Sequence, residues 1–275
     1  MRLLILGTAA AEAVPGMFCP CRVCHHARRV GGREVRSRTA YMVGDAVRID
    51  MSVDAQWQAV RFGLDHNRLQ HLLVTHSHED HFHPIELHYR RRGFCQTDPS
   101  SLLHVWGNLH VCEAARGMAY SREQLQLELH LIRPFEPFDL CDGISAVPVL
   151  ANHASEEEEA LNFIVRTPGR SVLIGNDTGY YAEDVWERLA EHRADIAIID
   201  ATYGPGDSRQ HHLGLPWVVR VRDRLTELGV LPAGARTIAN HFSHNGGMTH
   251  EELAELFGRE SVEVAYDGME IDLGP

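Results

Sequence analysis

Residues 74–81 read VTHSHEDH, which sets His76, His78, Asp80 and His81 in an HxHxDH pattern directly behind the apolar positions Leu69, Leu72, Leu73 and Val74. The apolar run reads as a buried strand. A turn leaving its end would present His76 and His78 to one side and Asp80 and His81 to the other, so that two metals share one loop. Imidazole and carboxylate ligands together suit Zn, Mn or Fe, and a pair of such ions can make hydroxide at neutral pH and clamp a displacement. The plain alternative is a histidine-rich surface turn, and four ligand-type residues within six positions argue against it.

The chain has 275 residues, 44% of them hydrophobic, enough to bury a full core in one domain over 1–275. No linker-like or low-complexity stretch interrupts it, and no fixed-period repeat is visible. The opening run MRLLILG is too short for a signal segment, and no apolar stretch is long enough for a membrane span, so a cytoplasmic protein is expected. With 26 basic and 38 acidic residues the net charge is −12, which disfavours long nucleic acids, whose binding rests on phosphate neutralisation. Small anionic substrates are less affected, because bound divalent ions would leave the cleft locally positive.

Three of the six cysteines, Cys19, Cys21 and Cys24, fall together in CPCRVC; Cys95, Cys112 and Cys141 are isolated and read as buried hydrophobes. In a cytoplasmic chain a disulfide framework is not expected. Three neighbouring thiolates need a compensating charge, and one structural Zn in a loop of about 16–36 supplies it. Redox-active or plain reduced cysteines are the alternatives. The fourth ligand is His25, His26 or a distant histidine, and the last would do more to tie the loop to the core.

Apolar and alternating runs predict strands over 2–6, 39–49, 71–75, 102–106, 144–150, 162–167, 171–175, 196–200, 235–240 and 262–271. Helical periodicity falls over 182–191 and 217–228, and Thr249 with Glu252 makes a capping-box spacing ahead of Leu253, Leu256 and Phe257. This order argues for sheets covered by helices in a layered α/β arrangement. Ligand-type residues recur just past the strand ends: Asn152 and His153, then Asn176, Asp177 and Thr178, then His241, Ser243 and His244. Each alone is an ordinary loop residue; arriving together behind apolar strands, they mark a site.

Taken together, THSHEDH, NHA, GNDTG and NHFSH resemble the metallo-β-lactamase fold superfamily in its dinuclear hydrolase form, across nearly the whole chain. The resemblance implies an αββα four-layer sandwich, an α+β arrangement of the α/β class, with an N-terminal zinc knuckle. GTAAAEAVP followed by CPCRVCHHARR, the terminal AYDGMEIDL and the paired histidines of NHFSH are similar to the PhnP-like family of cyclic phosphodiesterases, which open 5-phosphoribosyl 1,2-cyclic phosphate. The pyrroloquinoline quinone biosynthesis protein B branch carries a similar cysteine cluster. Matched residue by residue, the resemblance puts His76, His78 and His153 on one divalent ion and Asp80, His81 and His241 on the other, with Asp177 bridging. It assigns His244 as fourth ligand of the structural Zn beside Cys19, Cys21 and Cys24, and it implies a homodimer. A late-loop histidine, His212 of HHLGL with His211 as its competitor, would protonate the leaving oxygen after a metal-bridging hydroxide attacks phosphorus.

Two departures bear on the substrate. Pro84 stands where the family usually has glycine, and Arg90, Arg91 and Arg92 follow; one of them could hold a substrate phosphate, against the plainer reading of a solvated charge run. The acidic run SEEEEA, Ser155 to Ala160, would sit at the rim and repel polyanions. Tyr203 is a further candidate for a phosphate hydrogen bond. A tRNA-processing ribonuclease would share the metal residues but lacks support from the charge. A glyoxalase-type thioesterase would need a helical region after its last ligand, and a quinone-branch oxidoreductase or binding protein usually has an incomplete ligand set. The resemblance implies a small anionic phosphodiester as substrate, and the charge pattern fits a small substrate better than tRNA.

Overall fold

The computed structural model describes residues 1–96, 101–153 and 158–274. Its first sheet combines β1 (Arg2–Gly7), β2 (Ala40–Val43), β3 (Val47–Ile49), β4 (His71–Leu73), β5 (Leu103–Gly107) and β6 (Leu127–Leu131) with the last strand, β14 (Met269–Asp272). Its second combines β7 (Phe138–Asp139), β8 (Ser145–Leu150), β9 (Leu161–Arg166), β10 (Ser171–Gly175), β11 (Ile196–Asp200), β12 (Arg236–Asn240) and β13 (Glu263–Val264). Each sheet has seven strands, in the orders β14-β1-β2-β3-β4-β5-β6 and β13-β12-β11-β10-β9-β8-β7.

The two sheets face each other across a core of Leu3, Ile5, Tyr41, Val43, Ile49 and Leu73 from the first and Phe163, Val165, Val172, Ile174, Ile198 and Ile238 from the second. Alternation puts the remaining apolar side chains on the outer faces. On the first sheet, Leu4, Leu6, Leu72 and Val105 pack under α2 (Ala55–Phe62), α3 (Leu109–Arg116) and α4 (Arg122–Leu125) through Ala55, Val111, Ala115 and Leu125. On the second, Val147, Leu173, Ala197 and Ala239 pack under α5 (Glu183–Leu189), α6 (Leu215–Glu227) and α7 (His250–Gly258) through Trp186, Leu189, Val218, Val221, Leu253 and Phe257. Four layers, helix–sheet–sheet–helix, result, as the resemblance stated above implies.

Two long strands expected from the sequence are each broken. The run over 39–49 turns at Gly44, whose φ is +56°, and folds back so that Val43 pairs with Val47 across β2 and β3. The run over 262–271 splits at Asp267 and Gly268: β13 pairs with β12 in the second sheet, whereas β14 pairs with β1 in the first. Gly268 has φ +94°, and the fully enclosed Asp267 carboxylate accepts from Thr8 Oγ1 at 2.7 Å and from the Ser37 amide at 2.7 Å, fixing the crossing between sheets. The strands β6 and β7 and the helices α1 (Arg22–Val30), α2, α3 and α4 are additions to the sequence-based expectation.

Strands β3, β4, β5 and β6 run parallel, as do β10, β11, β12 and β13; β8 joins the latter direction through two antiparallel pairings with β9. The loops leaving β3, β4, β8, β10, β11 and β12 therefore gather at the carboxyl ends of their strands, where layered α/β folds display chemistry. Beneath them the Tyr41 hydroxyl accepts hydrogen bonds from Asn176 Nδ2 and, at 2.7 Å, from Asn240 Nδ2, stitching the first sheet to the second. No helix among the described residues is long and apolar enough to cross a membrane.

Candidate metal centre

The loop after β4 is held by two carboxylates that lie outside the HxHxDH motif. Asp50, one residue past β3 and fully buried, accepts from the Thr75 amide at 2.9 Å and pairs with His81 Nδ1 at 2.7 Å. Glu158, across the site, accepts from the Ser77 amide at 2.8 Å, from Ser77 Oγ at 2.7 Å and from Asn108 Nδ2 at 2.9 Å. A turn in which the amides of His81 and Phe82 both donate to the His78 carbonyl then carries the chain back toward Met51. Asp50 fixes the tautomer and direction of His81, so Nε2 is the nitrogen left to face the site.

The motif residues separate into two groups. His76, His78 and His153 bring ligand nitrogens within 4.8 Å of one another, as do Asp80, His81, Asp177 and His241 with theirs. His78 Nδ1 lies 2.8 Å from His76 Nε2 and 3.4 Å from His153 Nε2. Asp177 stands between the groups: Oδ1 is 3.5 Å from His153 Nε2, and Oδ2 is 2.9 Å from both His81 Nε2 and His241 Nε2. Metal–nitrogen bonds of about 2.0–2.1 Å in a tetrahedral shell put ligand atoms roughly 3.3 Å apart, which is the spacing seen here.

Three of these atoms, His81 Nε2, Asp177 Oδ2 and His241 Nε2, are buried without a hydrogen-bond partner, although they converge on one another. Orphaned buried lone pairs are costly, and their convergence fits a cation. The charge balance agrees. Burial opposes a proton on His81, yet Asp177, Asp80 and Asp50 hold its pKa well above the usual imidazole range, while burial and His81 push that of His76 well below it. The residues present thus fit divalent metal binding, with Asp177 lying between the two groups.

Asp200, at the end of β11 and completely buried, organises the opposite wall. It accepts from the amides of Asp177 at 3.0 Å, Thr202 at 3.1 Å and Leu213 at 2.9 Å, and from His212 Nδ1 at 3.0 Å. The His212 ring stacks on that of His241 at 5.5 Å and meets that of His153 at 4.8 Å. Burial alone would lower the His212 pKa, but Asp200, by charge and hydrogen bond, and Asp177 lift it to about 9. His211 takes a different part: its carbonyl lies 3.1 Å from His153 Nδ1, while its side chain is exposed. Four non-glycine residues around the site, Asp50, Asp177, His211 and His241, have positive φ. Each costs of order 1–3 kcal/mol, and such strain persists where surrounding contacts over-determine it, as the bonds to Asp50 and Asp200 do here.

The cysteine cluster forms a second centre. Cys19 Sγ and Cys21 Sγ each lie 3.7 Å from His244 Nδ1, and Cys24 completes a group of four ligand atoms within 4.8 Å. Zn–S bonds of about 2.3 Å and Zn–N bonds of about 2.1 Å give edges of roughly 3.6 Å, so the spacing suits a tetrahedral ion. Sulfur also receives backbone donors, Gly16 N to Cys24 at 3.2 Å and Cys24 N to Cys21 at 3.5 Å. Burial, then neighbouring Cys21 and Cys19, raises the Cys24 thiol to about 12, whereas bonds around Cys21 outweigh its own burial and lower its pKa. A bound cation would be needed to hold all three as thiolates. His241 and His244, three apart, face the two different centres, and the Phe242 amide donates to the Thr8 carbonyl at 2.8 Å between them.

The structure gives other work to two of the three arginines. Arg90 donates to the carbonyls of Leu125 at 3.1 Å and Ser101 at 2.8 Å, and Arg91 lies over the Tyr120 ring at 4.0 Å; Arg92 is exposed. Tyr203 is half exposed with its ring 6.2 Å from that of His212. Of the acidic run, Ser155, Glu156 and Glu157 lie outside the described residues; Glu158 turns inward as a brace, contrary to the expected rim position, because Ser77 and Asn108 offer it donors. No motif marks Asp50 or Asp200, and Glu158 falls within the acidic run expected at the rim. A signal existed for the first two: RIDMS and IIDAT each end an apolar strand on Asp, with a hydroxyl residue two positions on.

A family model described as Beta-lactamase superfamily domain matches residues 45–258. A solved structure described as a new diphosphatase from the PhnP family superimposes with TM-score 0.76 at 23% identity, over 99% of this chain and 98% of that one. Zn(2+)-bound PqqB from Methylobacterium extorquens gives 0.74 at 17% identity, over 99% and 100%. A curated relative, an octanoyltransferase of Porphyromonas gingivalis, is 25% identical over 98% of this chain, which spans about half (51%) of that protein's length. The fold, the gathered strand-end ligands and the family match lead to one conclusion: the chain belongs to the beta-lactamase superfamily.

Proposed function

We propose that this protein is a dinuclear metal-dependent hydrolase of small phosphodiesters, with 5-phosphoribosyl 1,2-cyclic phosphate as its substrate. His76, His78 and His153 would hold one ion and Asp80, His81 and His241 the other, with Asp177 shared. When bound, the ions (Mn, Zn or Fe) supply Lewis acidity toward water and the phosphoryl oxygens. The observation that carries the reading is the Asp200–His212 pair beside Asp177. With Nδ1 committed to Asp200, the His212 ring keeps Nε2 for the reacting group, and a pKa of about 9 keeps it protonated at neutral pH. A protonated imidazole there donates to a departing sugar oxygen, which cannot leave as alkoxide without a proton. Asp200 meanwhile holds the Asp177 backbone, so the acid and the shared ligand are positioned by one carboxylate.

The PhnP-family name of the superimposed diphosphatase supports phosphoester chemistry, and the net charge of −12 supports a small substrate over a long nucleic acid. The curated relative's name raises a second reading, chemistry on an octanoyl group, for which an octanoyl thioester is the probe. A thiolate, with a pKa of about 8.5, leaves without proton donation, so a positioned acid serves the ester better. Turnover by protein reconstituted separately with Mn and Zn tests both. Preference for the cyclic sugar phosphate over bis(p-nitrophenyl) phosphate and octanoyl thioester supports the proposal; cleavage of the thioester alone refutes it.

A further inference from the structure

A third group of ligand-type residues lies on the first sheet, away from both centres. Parallel pairing puts His71 of β4, His104 of β5 and Glu128 of β6 in one row across the sheet, and Leu73, Trp106 and His130 in the next. Alternate residues share a face, so all three imidazoles and the carboxylate are on the side that packs toward the second sheet, where Trp106 stacks on Phe138 at 4.5 Å. His71 opens β4 whereas His76 lies in the loop past its carboxyl end, and the ligand atoms of His104, Glu128 and His130 form a group of their own, apart from those of the dinuclear site.

His104 Nδ1 is 2.9 Å from His130 Nε2 and 3.5 Å from Glu128 Oε2. All three residues bring ligand atoms within 4.8 Å of one another. His71 is committed elsewhere, with Nδ1 accepting from Trp106 Nε1 at 3.2 Å. That bond and the stacking of Trp106 on His130, at 3.8 Å between centroids, hold the ligand rings in place. A cavity of about 610 Å³, lined in part by Asp45, Gln70, Ser101 and Asp142, reaches His104 and offers a path from solvent.

We propose that His104, Glu128 and His130 form an additional site for a borderline divalent ion such as Zn²⁺. Two imidazoles and one carboxylate suit such ions, and roughly 3.3 Å between ligand atoms, the tetrahedral value, falls between the two distances above. On binding, the ring that donates the His104–His130 hydrogen bond carries its N–H on its other nitrogen instead, so both rings remain neutral imidazoles and no proton is released.

The test is a calorimetric titration with Zn²⁺ of the full chain already carrying its tightly held metals and freed of excess by gel filtration. Metal analysis and turnover follow on the same samples. The wild type takes up one further equivalent; His130→Asn and His104→Gln lose it while keeping their tightly held metals and turnover, and His71→Gln keeps it. Cu²⁺ bound in place of Zn²⁺ shows two-nitrogen coupling by electron paramagnetic resonance in the wild type and not in His130→Asn. No further equivalent in the wild type overturns the proposal. So does an equivalent retained in both His130→Asn and His104→Gln, since the ion would then sit elsewhere. If either variant unfolds, the coupling pattern of the wild type alone decides.

Discussion

Asp200→Asn is the substitution that separates positioning from chemistry most sharply. On one side of the Asp200 carboxylate, Oδ1 accepts from the Thr202 and Leu213 amides; on the other, Oδ2 accepts from the Asp177 amide and His212 Nδ1. An asparagine oxygen can serve the first pair, but its amino group then faces two donors. Breaking a buried charged pair by removing one partner costs about 3–5 kcal/mol, so the variant should remain folded with a lowered denaturation midpoint. The effect on His212 is larger in kind. Without Asp200, burial is opposed only by Asp177, and the His212 pKa falls from about 9 toward its ordinary value. Near pH 8 the protonated fraction would drop from about 0.9 to about 0.03, roughly a thirty-fold loss of turnover from this cause alone, and near pH 6 it would change little. The assay is a pH profile of kcat for the metal-loaded wild type and variant, run with an alkyl diester and with a p-nitrophenyl diester. The alkaline limb should move down by about two units or more with the alkyl substrate. It should move much less when the leaving group needs no proton. An alkaline limb in the same place for both proteins would refute the role given to His212.

Cys21→Ser should lose about one Zn per chain, by metal analysis, and lower thermal stability, because the remaining thiolates no longer form a closed shell. Glu158→Ala frees Ser77 and Asn108, and should weaken active-site metal affinity by about 10–100-fold, read by competition with a chelator, with the cysteine-bound Zn unaffected. His66 is largely buried beside Arg48, and burial, then that guanidinium, lowers its pKa to about 4. Its folded pKa lies below its unfolded one, so the unfolded chain binds the proton more readily: the contribution is full above about pH 6.5 and is lost as pH falls toward 4, amounting to about 3 kcal/mol. Urea midpoints of wild type and His66→Gln across that window should diverge if this holds, the variant being less sensitive to acid.

The candidate ligand residues are legible in the sequence because each follows closely on an apolar strand. His76, His78, Asp80 and His81 need only one strand end to be recognised, and Asp177 and His241 follow the strands 171–175 and 235–240. What was not legible depends on the pairing of distant segments. The breaks at Gly44 and Gly268 are turns whose glycines were visible, but only the sheet partners show that β13 and β14 belong to different sheets. The LELHL stretch of β6 alternates weakly at a sheet edge, and recognising it requires β5 beside it. Asp50 and Asp200 look like ordinary strand-end aspartates until the folded chain brings His81 and His212 onto them. Glu158 misleads for the converse reason: within an acidic run it reads as a surface charge, and only the donors of Ser77 and Asn108, 81 and 50 residues away, turn it inward.

On the proposed function, Asp177 is shared between two ions and turnover depends on it. Asp177→Ala, reconstituted with Mn or Zn, should retain the cysteine-bound Zn and the fold, and lose hydrolysis of the cyclic sugar phosphate by at least about a thousand-fold. An Asp177→Ala protein that turns over this substrate at the wild-type rate would contradict the dinuclear assignment directly.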